Sequence, residues 1–516
     1  MARRARARGL MHRPVPSPLP RSVGTRLPLI ALIAASALLL ATRLLAAGRV
    51  GFGDSEALYA SYALHPRPAY LDHPGLVGLL ARFIGGGTAP SPLRAHLVTA
   101  VAATAFPWIL ALTCRACGST WRRALAGALV AALAPEIAVG LFALTPDLLL
   151  SLAWTGAIGL AARALSALPG SSRASLAFAG AGLLAGVAAA SKVTGLALFV
   201  ALAIAYWSRP ALAHRRTLAP WFGLAAGAVV VAPIVAFEAR TGWPMLRHRL
   251  VDTQGDAGPS LRNVGALLGG QLVYLSPLVA WLAALAAREA WRGRKDAIGR
   301  LLWSCVVVPA TALVPLCLWS RVAEPHWIAP ALIALVPAAA RASHAPSGRL
   351  VTASCAVAVA MVAAVHAWVL IPAAILLAPA SYDPRLDLSN ELQGWPEAVV
   401  AVRDEVAAAS VAGSEPETND LAVVGPHWVI CAQLEAALRD TIPVGCDTPV
   451  PDDFDVWWPR SRWRSAEVLV WVTDGRFGPP ALLTHAPLRQ REVRIERGGR
   501  LVRVFTITVL ARRAQA

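Results

Sequence analysis

Two short polar segments between the first two long apolar stretches carry closely spaced ionisable residues. The first contains Asp54 and Glu56, followed by Tyr59, and the second contains Asp72 next to His73. A carboxylate can take a proton from a hydroxyl group as a general base, and a neighbouring polar group can orient it. Ionisable residues held at a membrane face are costly and usually mark function. The spacing therefore predicts an acid–base site, with simple solvation of loop acids as the alternative.

Cations and one further acid occur later, at the ends of apolar stretches. Lys192 follows Ser191 between two such stretches, where an ammonium needs an anionic partner such as a lipid phosphate, or else reaches the membrane surface. Asp147 begins another stretch, where it also suits a helix N-terminus. The other cations in such positions are Arg247, His248, Arg249 and His326. A base together with cations would suit displacement of a phosphate from a sugar.

The elements that must position these residues are transmembrane helices. The chain has 516 residues, of which 56% are hydrophobic and 15% are charged, whereas soluble domains carry roughly 25% charged residues. Apolar blocks of about 20 residues, enough to cross a bilayer, recur along it. We expect a mainly α-helical, polytopic bundle of about eleven spans. The expected spans are 27–47, 93–113, 121–142, 146–165, 176–190, 193–207, 219–237, 264–287, 300–319, 327–340 and 350–375.

The distribution of charge predicts the orientation of these spans. The net charge is +18, and the arginines concentrate in the N-terminal tail 1–26 and in alternate short connections. Basic connections stay in the cytoplasm, so the tail is expected there, and the acids named above lie on the opposite face. No basic stripe with interleaved aromatic residues occurs, which argues against nucleic-acid binding. Residues 27–380 are the predicted membrane domain.

The segment 381–516 is more polar and is predicted to be a small extracytoplasmic α/β domain. Helices are expected at 395–410 and 428–439, strands at 421–424 and 468–472, and a hairpin around Gly498-Gly499. Cys431 and Cys446 could form a disulfide in an oxidising compartment. No catalytic motif is present in this segment.

Several motifs, in this order, resemble those of the membrane-embedded glycosyltransferases with the GT-C fold, which include protein O-mannosyltransferases and the lipid A aminoarabinose transferase. The resemblance covers roughly residues 50 to 400. Asp54-Ser55-Glu56-Ala57-Leu58-Tyr59 is similar to the family's D-E-A-x-Y motif, and Tyr70-Leu71-Asp72-His73-Pro74 to its D-H-P-P motif. The later matches are Thr145-Pro146-Asp147, Ser191-Lys192-Val193-Thr194, Gln271 to Pro277, Pro325-His326-Trp327, Asp383-Pro384 and Gly394-Trp395.

Two departures from the family pattern concern the acidic site. The family's acidic pair is adjacent, but here Ser55 separates Asp54 from Glu56, so aligning Glu56 with the family glutamate places Ser55 where the catalytic aspartate belongs. Gly75 also replaces the second proline of the D-H-P-P motif. The base is therefore either Asp54, displaced by one residue, or absent.

The resemblance implies a multi-pass enzyme of the bacterial inner membrane, transferring a hexose or pentose from a polyprenyl-phosphate-linked donor to an extracytoplasmic protein, lipid or glycan. Asp54 is the expected base, with Glu56 orienting the base or the acceptor. The expected substrate-binding residues are Tyr59, Asp72, His73, Asp147, Lys192 and His326. No cofactor or metal site is indicated, although the outer carboxylates could hold a divalent ion. The alternatives are a lipid or glycan transporter or flippase and a non-catalytic relative in envelope assembly.

Overall fold

The computed structural model describes residues 23–513 except 256, 322–323, 345, 412–420, 440 and 481. The predicted tail 1–26 lies almost entirely outside these residues. The helices are α1 (Val23–Ala47), α2 (Asp54–Ser61), α3 (Leu76–Gly85), α4 (Pro92–Ala116), α5 (Trp121–Leu133), α6 (Pro135–Ala138), α7 (Pro146–Ser166), α8 (Ser172–Ser191), α9 (Leu196–Trp207), α10 (Leu212–Arg215), α11 (Ala219–Thr241), α12 (Pro244–Leu250), α13 (Leu261–Tyr274), α14 (Pro277–Gly293), α15 (Ala297–Trp319), α16 (Ala329–Arg341), α17 (Gly348–Leu370), α18 (Trp395–Val411), α19 (Trp428–Leu438), α20 (Asp453–Trp457) and α21 (Arg460–Arg464). The strands are β1 (Leu421–Gly425), β2 (Val444–Cys446), β3 (Val468–Asp474), β4 (His485–Arg497) and β5 (Arg500–Arg512).

The predicted transmembrane helix bundle is confirmed. Seven helices in the described part of the chain are long and apolar enough to cross a membrane, namely α1, α4, α7, α8, α11, α15 and α17. Three bent apolar segments, which pair α5 with α6, α9 with α10 and α13 with α14, raise the number to ten if each is one span. The remaining predicted span, 327–340, corresponds to α16, whose 13 residues are fewer than the roughly 20 that cross a bilayer.

Small residues allow the helices of the bundle to pack closely. Gly182 and Gly186 on α8 face Gly223 and Gly227 on α11, and a Cβ atom at Gly182 would collide with the carbonyl group of Gly223. Close backbone contact of this kind is typical of helix pairs in membranes, where apolar burial does not drive association. The contact fixes α8, the helix whose end carries Lys192.

A buried arginine stabilises the bend between α5 and α6. The guanidinium of Arg43 on α1 donates hydrogen bonds to the hydroxyl of Thr104 at 2.9 Å and to the carbonyl oxygens of Ile137 at 2.8 Å and Ala138 at 3.2 Å. Non-helical backbone within a membrane domain needs partners of this kind because water is absent. The bend thereby fixes the segment that leads into α7, where Asp147 lies.

The C-terminal segment forms a mixed five-stranded sheet in the order β2-β1-β3-β5-β4. β1 pairs in parallel with β2 and β3, while β5 runs antiparallel to β3 and β4. The predicted hairpin around Gly498-Gly499 is present, and a disulfide joins Cys431 on α19 to Cys446 on β2. β2 was not predicted because its three residues are too short for an alternating pattern.

The first connection of the membrane domain, residues 48–91 between α1 and α4, packs into this C-terminal domain. Phe52, Leu58 and Tyr62 share one hydrophobic core with residues such as Ile430 of α19 and Phe505 of β5. α2 lies directly against α19. The connection that carries the acidic motifs is therefore held from both sides, by the bundle and by the C-terminal sheet. The boundary between the membrane domain and the C-terminal domain at residues 380 and 381 stays a prediction.

Candidate active site

Helix α2 directs its polar residues to different sides. Ser55 and Tyr59 are four residues apart and lie on the same face of the helix, whereas Asp54 and Glu56 are each about 100° away from Ser55. Ser55 is exposed, while Asp54 and Glu56 are each only 6% exposed. The separation of the two acids by one residue therefore gives them separate environments.

Glu56 is enclosed by partners from three parts of the chain. Its carboxylate pairs with His96 on α4 at 3.0 Å and accepts hydrogen bonds from the backbone N–H groups of Leu144 at 2.6 Å and Gly53 at 3.0 Å. Burial opposes its ionisation, but His96 and these donors lower the pKa of Glu56 below its usual value. Glu56 therefore fixes α2 relative to α4 and to the segment before α7.

Asp54 faces the C-terminal domain. Its carboxylate accepts a 2.6 Å hydrogen bond from Arg476, which lies just after β3 and also pairs with Asp474 at 3.0 Å and approaches Glu391 at 3.8 Å. Burial raises the pKa of Asp54, and Arg476 opposes that effect. Arg476 binds Oδ2, and the other oxygen, Oδ1, is buried, so an acceptor hydroxyl has no open approach to this carboxylate.

Lys192 is paired with Asp147 at one end of the bundle. The ammonium lies 2.8 and 2.9 Å from the two carboxylate oxygens of Asp147 and 3.5 Å from Nε2 of His326. Lys192 is only 6% exposed. Burial, assisted by Lys192, lowers the pKa of His326 to about 4, so its imidazole is neutral at pH 7 and its Nε2 can accept a hydrogen bond from the Lys192 ammonium.

Asp72 and His73 meet a second cation, Arg249 on α12. Its guanidinium lies 3.1 Å from the Asp72 carboxylate and 3.4 Å from Nε2 of His73, and its Nε donates to the Asp72 carbonyl at 3.1 Å. The ring of Tyr59 contacts the His73 ring edge-on, with 5.4 Å between centroids. Burial together with the charges of Arg249 and Lys192 lowers the pKa of His73 well below its usual value.

These two ion pairs belong to one cluster. Burial raises the pKa of Tyr59, and the nearby carboxylates of Asp72 and Asp147 raise it further. The structure therefore brings together six of the eight predicted site residues, and Arg249 joins them. We call this group the outer cluster: Tyr59, Asp72, His73, Asp147, Lys192, Arg249 and His326. Its members come from five connections that charge alternation assigns to one face of the membrane.

Known proteins share this architecture. Residues 72–237 match the model of the family described as dolichyl-phosphate-mannose-protein mannosyltransferase. The chain is similar to the crystal structure of ArnT from Cupriavidus metallidurans bound to undecaprenyl phosphate, with a TM-score of 0.54, 16% identity and coverage of 93% of this chain and 97% of that one. The chain has the GT-C fold. The predicted resemblance to GT-C membrane glycosyltransferases is confirmed.

A second similar structure is an oligosaccharyltransferase from Archaeoglobus fulgidus tethered with an acceptor peptide. It has a TM-score of 0.50 and 13% identity, and the match covers 87% of this chain and 69% of that one. No curated protein matches the sequence. Since these identities are low, the similarity establishes the fold and the multi-pass membrane architecture of this GT-C chain.

In the described ranges, no group of three or more histidine, cysteine or acidic side chains is arranged to hold a metal ion. The absence of a cofactor stays a prediction. Sequence reasoning did not find Arg476 or Asp453, both in the C-terminal domain and both in contact with the first connection. Neither lies in a motif, and their sequence separation of about 400 residues from their partners left no local signal.

Proposed function

We propose that this chain is a membrane glycosyltransferase that moves a sugar from a polyprenyl-phosphate-linked donor to an acceptor outside the cytoplasm. The observation that carries the proposal is the outer cluster, in which Lys192 and Arg249 lie beside carboxylates at one end of a GT-C bundle. Undecaprenyl phosphate binds to ArnT, a protein of the same fold, which supports a lipid phosphate as the ligand here.

The two cations would stabilise the leaving group. In the reaction, the acceptor oxygen forms a bond to the anomeric carbon while the bond from that carbon to the phosphate oxygen breaks. The electron pair stays on the polyprenyl phosphate, and its growing negative charge is stabilised by Lys192 and Arg249 in a partly buried site. Direct displacement would invert the anomeric centre.

The base is a carboxylate of the first connection, and the geometry favours Asp72 over Asp54. The Asp54 side chain is 8% exposed, whereas the Asp72 side chain is 28% exposed and lies within the outer cluster. Each carboxylate is paired with an arginine, so exposure is the difference between them. Asp72 would take the acceptor's hydroxyl proton as the new glycosidic bond forms. Asp54, the expected base from the resemblance, would serve only if its buried Oδ1 became open to the acceptor.

The remaining predicted residues would shape the donor site. Neutral His73 and His326 can each hydrogen-bond a sugar hydroxyl or a phosphate oxygen, since their pKa values are lowered. Asp147 would orient the Lys192 ammonium, and Tyr59 would line the space between the two ion pairs. We place the enzyme in a bacterial plasma membrane, with the basic connections inside and the C-terminal domain outside.

A transporter or flippase is the second candidate, and one observation favours it. Three apolar helix pairs are bent, by 75°, 71° and 104°, and interrupted helices are typical of transporters. The ionisable residues of the outer cluster nevertheless gather at one end of the bundle, where a transferase would need them. A non-catalytic relative in envelope assembly would bind the donor without turnover.

The proposal is tested by transfer of radiolabelled sugar from native membrane lipids. Asp72→Asn should lower the rate by about 10²- to 10⁴-fold, as expected for loss of a general base. Asp54→Asn and Ser55→Ala should stay active, because an amide at 54 can still accept the Arg476 hydrogen bond. Activity in Asp72→Asn together with loss in Asp54→Asn would return the base to Asp54. Absence of transfer by the wild type from any lipid-linked donor would refute the function.

A further inference from the structure

A carboxylate of the C-terminal domain contacts the backbone directly before Asp72. One oxygen of Asp453, the first residue of α20, accepts a hydrogen bond from the backbone N–H of Leu71 at 3.2 Å. Its other oxygen accepts one from the hydroxyl of Tyr62 at 3.1 Å. Asp453 is only 5% exposed, so both hydrogen bonds are protected from water. The residue adjacent to the proposed base is therefore anchored by another domain.

The segment 69–74 that bears Asp72 is a tight turn. The backbone N–H of Tyr70 donates to the carbonyl of His73 at 2.9 Å, and the turn is closed by a bridge between Ala69 and Pro74. The Tyr70 ring stacks on Tyr62, with 3.6 Å between centroids and 6° between planes. Whatever holds Tyr62 consequently also sets the position of the turn.

Two further residues of the C-terminal domain hold the same region. Trp457, at the end of α20, contacts Tyr62 edge-on at 5.9 Å and stacks on His65 at 4.2 Å. Glu435 on α19 pairs with Nε2 of His65 at 2.7 Å. We call Asp453, Trp457 and Glu435 the clamp. Its three members reach the first connection from two helices of the C-terminal domain.

We propose that the clamp positions the turn 69–74. Through Asp453, the C-terminal domain sets the orientation of Asp72 towards Arg249 and the donor. The inference rests on the proposed function. Asp453 is a positioning residue, since it contacts the backbone of the turn and no member of the outer cluster directly in the described structure. A misplacement of about 1 Å at a reacting group lowers a rate by about 10²-fold.

We expect the two hydrogen bonds of Asp453, rather than its charge, to hold the turn. Burial, followed by the charge of Asp72, raises the pKa of Asp453 to about 7, so a proton is present on this carboxyl for much of the time near neutral pH. An amide has the same shape and can accept from Leu71 while donating to Tyr62. Asp453→Asn should therefore preserve the clamp, whereas Asp453→Ala removes both acceptors.

The test compares the full-length wild type with Asp453→Ala, Asp453→Asn and the control Asp447→Ala. Asp447 is another aspartate of the C-terminal domain, and its ion pairs with Arg460 and Arg464 stay within that domain. Sugar transfer gives kcat and the KM for donor, and hydrogen exchange reports on the segment 69–74. We expect Asp453→Ala to lose about 10²-fold in kcat with an unchanged donor KM, and to exchange the Leu71 amide about tenfold faster.

The outcomes separate the clamp from the proposed function. Normal values in Asp453→Asn and Asp447→Ala, alongside the losses in Asp453→Ala, would support a positioning role. Unchanged kcat and unchanged amide exchange in Asp453→Ala would refute the positioning role of the clamp. Sugar transfer by the wild type in the same experiment would still support the proposed enzymatic function. Equal losses in Asp453→Ala and Asp447→Ala would also overturn it, since both would then reflect general destabilisation. If the wild type transferred no sugar, the proposed glycosyltransferase function would be refuted. The exchange rate of the Leu71 amide would still decide whether Asp453 holds the turn.

Discussion

Replacing Lys192 by methionine removes the ammonium of the outer cluster while keeping an unbranched side chain of similar length. The ammonium lies 2.8 and 2.9 Å from the Asp147 oxygens, and it is only 6% exposed. If it binds the donor phosphate, Lys192→Met should weaken the binding of a polyprenyl phosphate. The carboxylate of Asp147 would then have only the neutral imidazole of His326 at 3.8 Å beside it in the described cluster, and it would also repel the phosphate.

The expected loss follows from one charge-assisted hydrogen bond. Such a bond contributes about 1.5–3 kcal/mol. That free energy corresponds to a dissociation constant about 10- to 150-fold higher. Repulsion by Asp147 adds to this value, so the double variant Lys192→Met/Asp147→Asn should bind better than Lys192→Met and still worse than the wild type. The double variant also removes both charges of the pair, which avoids leaving one buried charge without a partner.

The assay is equilibrium binding of undecaprenyl phosphate to purified protein in nanodiscs. Lys295 provides a matched control because it is the only other lysine in the sequence and lies in a predicted cytoplasmic connection. Lys295→Met should bind as the wild type does. An unchanged dissociation constant for Lys192→Met, in protein whose thermal unfolding is normal, would refute the assignment of Lys192 to the donor phosphate.

Two further predictions concern stability. Because the pKa of Glu56 is lowered below 4.5 in the folded state, its ionisation stabilises the fold above that pH, and this contribution is lost as the pH falls through the folded-state value. Glu56→Gln should unfold more easily at neutral pH and should lose the part of the pH dependence of stability that Glu56 contributes. Thermal unfolding between about pH 3 and pH 6 measures this, and an unaltered pH dependence would contradict the Glu56–His96 pair. The disulfide joins two cysteines that are 15 residues apart. Because a crosslink over a loop of this length stabilises a fold by about 3 kcal/mol, the double variant Cys431→Ser/Cys446→Ser should destabilise the C-terminal domain by that amount. Unfolding by denaturant measures this loss, and an unchanged midpoint would count against the bond.

The parts of the structure that local patterns specify could be predicted from the sequence. Long apolar stretches such as 219–237 gave helices close to those observed, and the alternating strands around Gly498-Gly499 gave the hairpin. The connections that hold Tyr59, Asp72, Lys192 and His326 were assigned to one face by charge alternation, and the fold brings these side chains together.

The parts that depend on contacts between distant segments could not be predicted in this way. Asp54 and Glu56 are only two positions apart in the sequence, but Asp54 meets Arg476 across 422 positions and Glu56 meets His96 on α4. Their different roles follow from the packing of the C-terminal domain on α2. The same holds for Asp453, because a hydrogen bond to Leu71 leaves no periodic signal in either segment.

The most direct test of the central claim is reconstitution of the purified chain in vesicles with a synthetic polyprenyl-phosphate sugar and a panel of protein, lipid and glycan acceptors. Mass spectrometry would follow the lipid, and a membrane-impermeant probe would report the leaflet in which it lies. A transferase predicts that sugar-free polyprenyl phosphate accumulates together with a glycosylated acceptor, and that Asp72→Asn stops both. An intact donor that only moves between leaflets would contradict the account and identify a flippase.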